Sequence, residues 1–284
     1  MVRMELLSGT VDRLRAAGCV FAEEEAELLV AEAASAQQLD RLVARRVQGI
    51  PLEVVLGWAR FCGLRIEVDA GVFVPRRRTT FLVDRAAAVA ADRAGAVAGA
   101  VAVAVAVAVA VARPGAVVVD LCCGTGAVGV AVAVAVPGVV VHAADIDPVA
   151  VACARRNLAR VGGHAYCGDL YDALPAELRG RIDLLLVNAP YVPTDEIALM
   201  PPEARDHEPR QALDGGPDGV AIHRRVAGSA ARWLRPGGYL LIESSRHQAP
   251  LTAQAMREGG LDPQVDRSEE YDSTVVTGTR PRTR

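Results

Sequence analysis

The sequence contains no lysine, so all 31 basic residues are arginine, against 34 acidic residues and a formal net charge of −3. This balance argues against broad electrostatic binding to nucleic acid or to an anionic membrane surface. The missing lysine, beside abundant Ala, Val and Gly, indicates a GC-rich bacterial coding genome and says nothing of function. A content of 51% hydrophobic and 23% charged residues is typical of a globular protein.

Metal-binding and disulfide motifs are also missing. No CxxC spacing occurs among the six cysteines, which are Cys19, Cys62, Cys122, Cys123, Cys153 and Cys167. This spacing predicts neither a metal site nor a disulfide framework. Residues 1–17 carry charges throughout and lack the apolar core of a signal peptide. We therefore expect a metal-free protein of the reducing cytoplasm.

The first fifty residues have the pattern of three amphipathic helices. Apolar residues recur there at helical spacing: Leu6, Val11, Leu14 and Ala17; Ala26, Leu29, Val30 and Ala33; Leu39, Leu42, Val43 and Val47. Three helices of this length make a small bundle. Such a bundle is either a packing appendage or a docking module for a macromolecular substrate, and the sequence favours neither.

Glycine and proline punctuate short apolar runs after residue 50. This texture predicts two strands, 61–66 and 67–74, around a turn near Asp69-Ala70-Gly71. We expect three units along the chain: a helical substrate-docking domain over 1–56, a hairpin linker over 57–78 and an α/β domain over 79–284.

Two stretches of unusual composition follow the hairpin. Arg76, Arg77 and Arg78 either face an anionic partner or form a solvated surface. After a predicted helix, residues 94–112 carry no charge, and Ala alternates with Val from Ala100 to Ala112. Because Ala contributes little to membrane insertion, we interpret this run as a low-complexity expansion rather than a membrane span.

The next segment has the pattern of a strand, a tight turn, a helix and a second strand. An acidic residue stands at the end of each of the two strands. The strand 116–120 ends at Asp120, the turn 121–126 contains two glycines, and the strand 139–144 leads into Asp145. Glycines let the backbone approach a ligand, the helix offers free N–H groups, and the second acid takes ribose hydroxyls. This order and spacing predicts a nucleoside cofactor.

The turn does not have the G-x-G-x-x-G spacing that seats a pyrophosphate, because Cys122 stands at the first glycine position. Asp120 would repel a pyrophosphate but would hold an ammonium group. Both features favour S-adenosylmethionine over a dinucleotide. The predicted cofactor-binding residues are Asp120, Cys122, Cys123, Gly124, Thr125, Gly126, Asp145, Ile146, Asp169, Leu170 and Asn188.

The remaining strands complete a sheet. A third strand is predicted over 164–167, a fourth from Ile182, a fifth over 239–243, and two more over 264–266 and 273–277. Asp169, after the third strand, either meets an adenine amino group or caps the helix before Tyr171. Strands that alternate with helices predict an α/β doubly wound sheet of seven strands with a terminal hairpin.

The fourth strand ends in a polar segment, Asn188-Ala189-Pro190-Tyr191. Only one other Asn occurs in the chain, Asn157. A side-chain amide at the carboxyl end of a buried strand lies where open α/β sheets bind ligands, and it offers both an acceptor and donors. An ordinary Asn-Xaa-Pro turn explains the same residues equally well.

Taken together, these motifs resemble a class I S-adenosylmethionine-dependent amino-methyltransferase, and more narrowly the HemK/PrmC family of protein-(glutamine-N5) methyltransferases. The resembling segments are 46–52 (R-x-x-G-x-P-L), 57–64 (G-x-x-x-F-x-G-L), 74–76, 208–219 (E-P-x-x-A-L-x-G-G-x-D-G) and 234–243 with Gln248. Three departures mark a divergent branch: Ala189 replaces the first proline of N-P-P-Y, Cys122 and Cys123 replace Gly and a small polar residue, and Arg77, Arg78 and Thr80 stand where acids are expected.

The resemblance implies a Rossmann-like fold, S-adenosylmethionine as cofactor and a peptide chain release factor as substrate. It also implies that the Asn188 oxygen and the Ala189 carbonyl accept the two N–H bonds of a glutamine amide, that Pro190 fixes the turn, and that Tyr191 packs on the planar target. No metal, membrane or stable nucleic-acid partner is expected.

Two alternatives stay open at this point. The same signature serves adenine amino-methyltransferases acting on DNA or RNA, with Tyr191 stacking a flipped base. The second alternative is a non-catalytic protein that binds the cofactor.

Overall fold

The computed structural model describes residues 2–92 and 115–282, and its first part is helical. Four helices occur there: α1 (Val2–Ala16), α2 (Ala22–Glu32), α3 (Ala36–Val47) and α4 (Leu52–Leu56). Their apolar sides form a separate small core of Leu14, Ala22, Ala26, Leu29, Leu39, Val43 and Val55. The three predicted helices are confirmed. The short α4 was not predicted, because five residues are too few to show a helical period.

The predicted hairpin exists, but its predicted strands and turn were wrong. Strand β1 (Trp58–Phe61) pairs antiparallel with β2 (Leu64–Glu67). The turn is Cys62-Gly63, where both residues have positive φ, +48° and +75°, as a two-residue type I′ hairpin requires. Type I′ turns favour Asn-Gly, Asp-Gly or Gly-Gly rather than Cys-Gly. The turn was therefore predicted at Gly71, in the loop that follows β2.

The hairpin is fastened to the rest of the chain through Asn157. This buried side chain accepts from the Glu67 N–H at 2.9 Å and donates to the Glu67 carbonyl at 3.0 Å. Its amide also donates to the Thr125 carbonyl at 2.9 Å. Phe61 and Ile66 meanwhile join the apolar core of the main sheet. The hairpin therefore packs as part of the larger domain.

The main sheet has seven strands in the described residues: β3 (Val117–Leu121), β4 (Val140–Asp145), β5 (His164–Cys167), β6 (Ile182–Val187), β7 (Leu234–Ser244), β8 (Asp262–Ser268) and β9 (Ser273–Thr279). Their order is β5-β4-β3-β6-β7-β9-β8. The first five are parallel, whereas β9 runs antiparallel to both of its neighbours. The predicted doubly wound sheet and its terminal hairpin are confirmed.

Helices cover both faces of this sheet. They are α5 (Thr80–Asp92), α6 (Ala127–Ala135), α7 (Pro148–Ala159), α9 (Ala221–Trp233) and α10 (Ala249–Glu258), while a short helix, α8 (Pro202–His207), lies in the segment between β6 and α9. Apolar residues of α5, α6 and α7 pack in one cluster, and those of α9 and α10 pack in a second on the other face. The strand order reverses between β3 and β6, and open α/β sheets bind ligands at such a point.

Two sequence expectations concern membranes and the Ala-Val run. The run over 100–112 lies outside the described residues. Among the helices that are described, none is long and apolar enough to cross a membrane.

Candidate active site

A cavity of about 370 Å³ opens at the carboxyl ends of β3, β4 and β6. Its lining includes every residue predicted to bind the cofactor or to act in catalysis except Gly126. The turn that follows β3 forms one end of the cavity, and the Asn188-Ala189-Pro190-Tyr191 segment after β6 forms another part of the wall. Strands distant in sequence thus bring the predicted residues to one place.

The turn after β3 depends on left-handed backbone conformations. Cys122 has φ +56°, Gly124 has φ +52° and Gly126 has φ +74°. A Cβ added to Gly126 would lie 3.2 Å from the Ala154 Cβ, so this glycine allows α6 to pack on α7. Gly126 therefore supports the turn without lining the cavity.

Both turn cysteines are held as thiols. Burial raises the pKa of Cys122 and of Cys123, and the nearby carboxylates of Asp120 and Asp145 raise both further. A thiol with a raised pKa is a poor nucleophile at neutral pH. In the described part of the chain no group of three or more His, Cys, Asp or Glu residues is placed to hold a metal ion.

Asp120 lies at the cavity wall and is 1% exposed. Its Oδ2 accepts from the Gly129 N–H in the first turn of α6 at 2.9 Å. Burial raises the pKa of Asp120 to about 8, although the bond from Gly129 opposes this rise. Through this bond Asp120 braces the turn against α6, which is a structural role. Its role toward an ammonium group stays a prediction.

Asp145 and Ile146 end β4 at the same cavity. The carboxylate of Asp145 accepts from the Gly124 N–H at 2.8 Å and from the Asp147 N–H at 3.0 Å. These bonds lower the pKa of Asp145, but burial outweighs them and raises it. Ile146 is 59% exposed beside this carboxylate. An acid beside an exposed apolar side chain suits a ribose that carries a flat base.

Asp169 makes an ion pair that the sequence did not predict. Its Oδ2 lies 2.6 Å from Nη2 of Arg225 in α9. Asp169 occupies the N-cap position of a 3-10 helix, Leu170–Ala173, but its side chain makes no capping bond there. The capping alternative is therefore wrong, and a contact with an adenine amino group stays a prediction. No local pattern could have revealed Arg225, which reaches the cavity from another helix.

The side chain of Asn188 is held from one side. Its Nδ2 donates to the Thr79 Oγ1 at 3.3 Å. Thr79 is 1% exposed. Within residues 2–92 and 115–282, nothing donates a hydrogen bond to the Asn188 Oδ1 or to the Ala189 carbonyl. Two acceptors next to each other in the chain are thus free at the cavity wall.

Tyr191 is fixed on several sides. Its hydroxyl donates to the Glu243 Oε1 at 3.3 Å, and its carbonyl accepts from Gln248 Nε2 at 2.8 Å. The guanidinium of Arg78 lies 5.4 Å from the centre of the Tyr191 ring. A Cβ added to Gly215 would lie only 2.7 Å from the Tyr191 Cα. The loop 208–219 therefore closes directly onto this tyrosine.

Two residues of the arginine run, Arg76 and Arg78, pair with buried carboxylates. Arg76 Nη2 lies 2.7 Å from the buried carboxylate of Glu208, and Arg78 Nε lies 3.4 Å from that of Glu243. Arg77 and Arg78 are both exposed. The solvated-surface alternative therefore describes Arg77 and part of Arg78, while Arg76 and Arg78 also line the cavity and contact carboxylates of the same chain.

Comparison with known proteins identifies the family. Residues 98–200 match the Methyltransferase small domain family. The chain is 36% identical to the release factor glutamine methyltransferase of Mycolicibacterium smegmatis over 247 residues, which are 85% of this chain and 79% of that one. The chain belongs to the HemK/PrmC family of S-adenosylmethionine-dependent methyltransferases. The predicted family, class I fold and cofactor are thereby confirmed.

Two further likenesses complete the comparison. A 4-amino-L-phenylalanine/4-methylamino-L-phenylalanine methyltransferase of Streptomyces pristinaespiralis is 34% identical over 220 residues, 77% of this chain and 69% of that one. Among solved structures, the ribosomal protein L11 methylase of Lactobacillus delbrueckii subsp. bulgaricus is 16% identical, with a TM-score of 0.48 over 76% of this chain and 85% of that one.

The cavity of this HemK/PrmC family member suits a nucleoside without phosphate. Asp120 and Asp145 supply two carboxyl groups at the turn, and the arginine at that end, Arg225, is already paired with Asp169. Among the described residues at that end, a pyrophosphate would find no unpaired cation, whereas the ammonium and ribose of S-adenosylmethionine would find acceptors.

Proposed function

We propose that this enzyme methylates the side-chain amide nitrogen of a glutamine in a peptide chain release factor. The observation that carries the proposal is the pair of free acceptors, Asn188 Oδ1 and the Ala189 carbonyl. A primary amide nitrogen has two N–H bonds, and two acceptors hold both. The names of several relatives support the same substrate class.

The bound cofactor supplies an electrophilic methyl group on a sulfonium. The residues of the chain must position a weak nucleophile, because the lone pair of an amide nitrogen is delocalised into its carbonyl. Asn188 and Ala189 orient the nitrogen through its N–H bonds, which makes the encounter effectively intramolecular. As positive charge develops on the nitrogen, the two acceptors bind it more strongly, so they stabilise the transition state more than the ground state.

Pro190 and Tyr191 complete the proposed target site. Pro190 limits the backbone freedom of the segment. The ring of Tyr191 offers a flat apolar surface for the planar amide, and its position is fixed by Glu243, Gln248 and the loop 208–219. A cytoplasmic location remains the prediction from the sequence.

The helical unit over residues 1–56 is proposed to dock the protein substrate. It has its own apolar core, and Arg46 joins it to α8 through a contact with Glu203 at 2.7 Å. Helix α8 leads directly into the loop 208–219 that closes on Tyr191. A macromolecule bound to this unit would therefore lie beside the cavity.

The test is methyl transfer from labelled S-adenosylmethionine to a purified release factor, with DNA, RNA and an aromatic amino acid amine as parallel substrates. Transfer to a glutamine of the release factor is expected. Label on the nucleic acids alone would replace the proposal with adenine methylation, and label on the amine alone with small-molecule methylation.

The two asparagines of the chain provide a matched pair of variants. Asn188→Ala should reduce methyl transfer by about 10²–10³, as loss of one preorganised hydrogen-bonding group does in other enzymes. Its folding should be unaffected. Asn157→Ala should instead lower the free energy of unfolding by about 1–3 kcal/mol, because it leaves buried backbone groups of Glu67 and Thr125 without partners. Full turnover in Asn188→Ala would contradict the proposed chemistry.

A further inference from the structure

One buried amide joins two walls of the proposed target site. Gln248, just before α10, is 6% exposed and does not itself line the cavity. Its Nε2 donates to the Tyr191 carbonyl at 2.8 Å and to the Asp218 carbonyl at 3.1 Å. Tyr191 belongs to the segment 188–191, and Asp218 belongs to the loop 208–219. Residues of both stretches line the same cavity, so Gln248 connects two of its walls from behind.

The hydrogen bonds of this amide fix its orientation. Its two N–H bonds face two carbonyl oxygens, which can only accept. On the other side, the Ser245 hydroxyl accepts from the Gln248 backbone N–H at 3.2 Å and donates its own proton to Gln248 Oε1 at 2.8 Å. A reversed amide would place its oxygen against the two carbonyl oxygens, so one orientation alone satisfies all of these groups.

The backbone leaves room for this amide at Gly219. This glycine has φ +73°, and a Cβ added to it would collide with Gln248 Nε2 and with the Tyr191 carbonyl oxygen. A short backbone ladder also holds the loop to Val192, whose N–H donates at 3.0 Å and whose carbonyl accepts at 2.8 Å. The loop is thus attached to residue 192 by its own backbone and to residue 191 through the side chain of Gln248.

We propose that Gln248 is a positioning residue that latches the loop 208–219 to the segment 188–191 and thereby sets the shape of the target end of the cavity. The inference rests on the proposed function, because that chemistry requires the Asn188 and Ala189 acceptors to be aimed at a reacting nitrogen. The bond from Gln248 holds the same short segment that carries these acceptors. Ala189 lacks the fixed φ of a proline, so a bond from outside limits how far this backbone can turn.

The first test compares the same change at two glutamines. Gln248→Met keeps the length of the side chain and removes its hydrogen bonds. With the release factor as substrate, it should lower kcat about tenfold, because a displacement of about 1 Å costs about 10²-fold and the backbone ladder limits the displacement. The KM and the cofactor affinity should change little. Gln254→Met, at an exposed glutamine of α10 that bonds Glu258, should leave all three unchanged.

The second test asks whether the two donors matter. Gln248→Glu keeps the shape of the side chain, but its carboxylate would oppose two carbonyl oxygens, and on protonation it regains one donor. The ratio of its kcat to that of wild type should therefore rise severalfold from about pH 9 to about pH 6, since burial raises the pKa of such a group. The Gln248→Met ratio should stay constant. Ratios are compared because Asp218 and Glu243, near the amide, titrate in every variant.

The third test needs no substrate. Hydrogen exchange of the backbone over residues 213–221 is measured by mass spectrometry. In Gln248→Met it should be about tenfold faster than in wild type, the scale of one lost hydrogen bond, while exchange over 251–258 in α10 stays the same. In Gln254→Met both stretches should exchange as in wild type.

The outcomes separate the two proposals. A Gln248→Met protein with the kcat of wild type, or with unchanged exchange over 213–221, would overturn the latch. A loss of cofactor affinity as large as the loss of kcat would also overturn it, because the effect would then be on the fold as a whole. If Gln248→Met does not fold, kcat and exchange are measured on Gln248→Glu instead. If the wild-type protein transfers no methyl group to glutamine, the proposed function fails, while the exchange comparison still decides whether Gln248 latches the loop.

Discussion

Adding one methyl group at Gly215 should damage the site more than its size suggests. The Cβ of Gly215→Ala would lie 2.7 Å from the Tyr191 Cα, 2.6 Å from the Gly219 carbonyl oxygen and 2.8 Å from the Gly219 Cα. All three contacts are to backbone atoms, which cannot rotate away as a side chain can. Ordinary separations between such carbon atoms are about 3.5–4.0 Å, so the loop and the signature segment must part by roughly 1 Å.

Two opposing energies set the expected magnitude. Overpacking of a tight site costs about 1–3 kcal/mol, whereas replacing Gly by Ala elsewhere stabilises by about 0.4–1 kcal/mol through the unfolded chain. We expect a net loss of stability of about 1–2 kcal/mol from these two values. Turnover should fall further, by about 10²-fold, because a displacement of 1 Å at the reacting groups has that scale.

The matched control is Gly228→Ala on the exposed side of α9, where an added Cβ has no neighbour within 4 Å. The same chemical change there should stabilise by roughly 0.5–1 kcal/mol, since Gly in a helix interior costs that much relative to Ala. Thermal unfolding and turnover are measured on both variants. A Gly215→Ala protein with the stability and turnover of wild type would refute the idea that this loop is pressed against Tyr191.

The other predictions concern the cofactor end and the domain boundary. Asp145→Ala should weaken S-adenosylmethionine binding by about 1.5–3 kcal/mol in calorimetry, whereas Asp169→Ala, at a partly exposed side chain, should weaken it by less than 1 kcal/mol. Equal losses of affinity would contradict the predicted contact of Asp145 with the ribose. Because burial raises the pKa of Asp120 to about 8, its contribution to stability is present below the unfolded pKa near 4 and is lost as pH rises toward 8. Asp120→Asn should therefore gain melting temperature relative to wild type between pH 5 and 8, and a constant difference would contradict this. A chain beginning at residue 57 should keep cofactor affinity and lose transfer to intact release factor. A chain beginning at residue 79 should also lose stability, because it lacks buried apolar side chains of the hairpin. Full transfer by the chain that begins at residue 57 would show that residues 1–56 do not dock the substrate.

The sheet was predictable because its signals are local. Strands β3, β4 and β6 contain short apolar runs, and Asp120, Asp145 and Asn188 interrupt these runs where the strands end. The carboxyl ends of parallel strands share one edge of a sheet, so the cavity lining followed from the sequence. The prediction of the hairpin strands was wrong because two candidate glycine turns, at residues 63 and 71, lie close together. The spacing of apolar residues does not distinguish them.

The contacts that organise the site could not be predicted in the same way. Thr79 reads as an ordinary polar residue before a helix, and Arg225 as one of several arginines in α9. Their partners, Asn188 and Asp169, lie 109 and 56 positions away. Hydrogen bonds over such separations leave no periodic pattern in the sequence. Glu243 entered only through the family resemblance, which did not indicate what it touches.

Three hydrogen bonds of the Asn157 side chain link two parts of the chain that are distant in the sequence. The hairpin that precedes the arginine segment and the turn that begins α6 meet at this single amide. By linkage, a partner that contacts the hairpin and a ligand at the turn would each raise the affinity of the other by the same factor, to the extent that this amide couples the two segments. Asn157→Ala should reduce that coupling without removing a group that contacts either ligand.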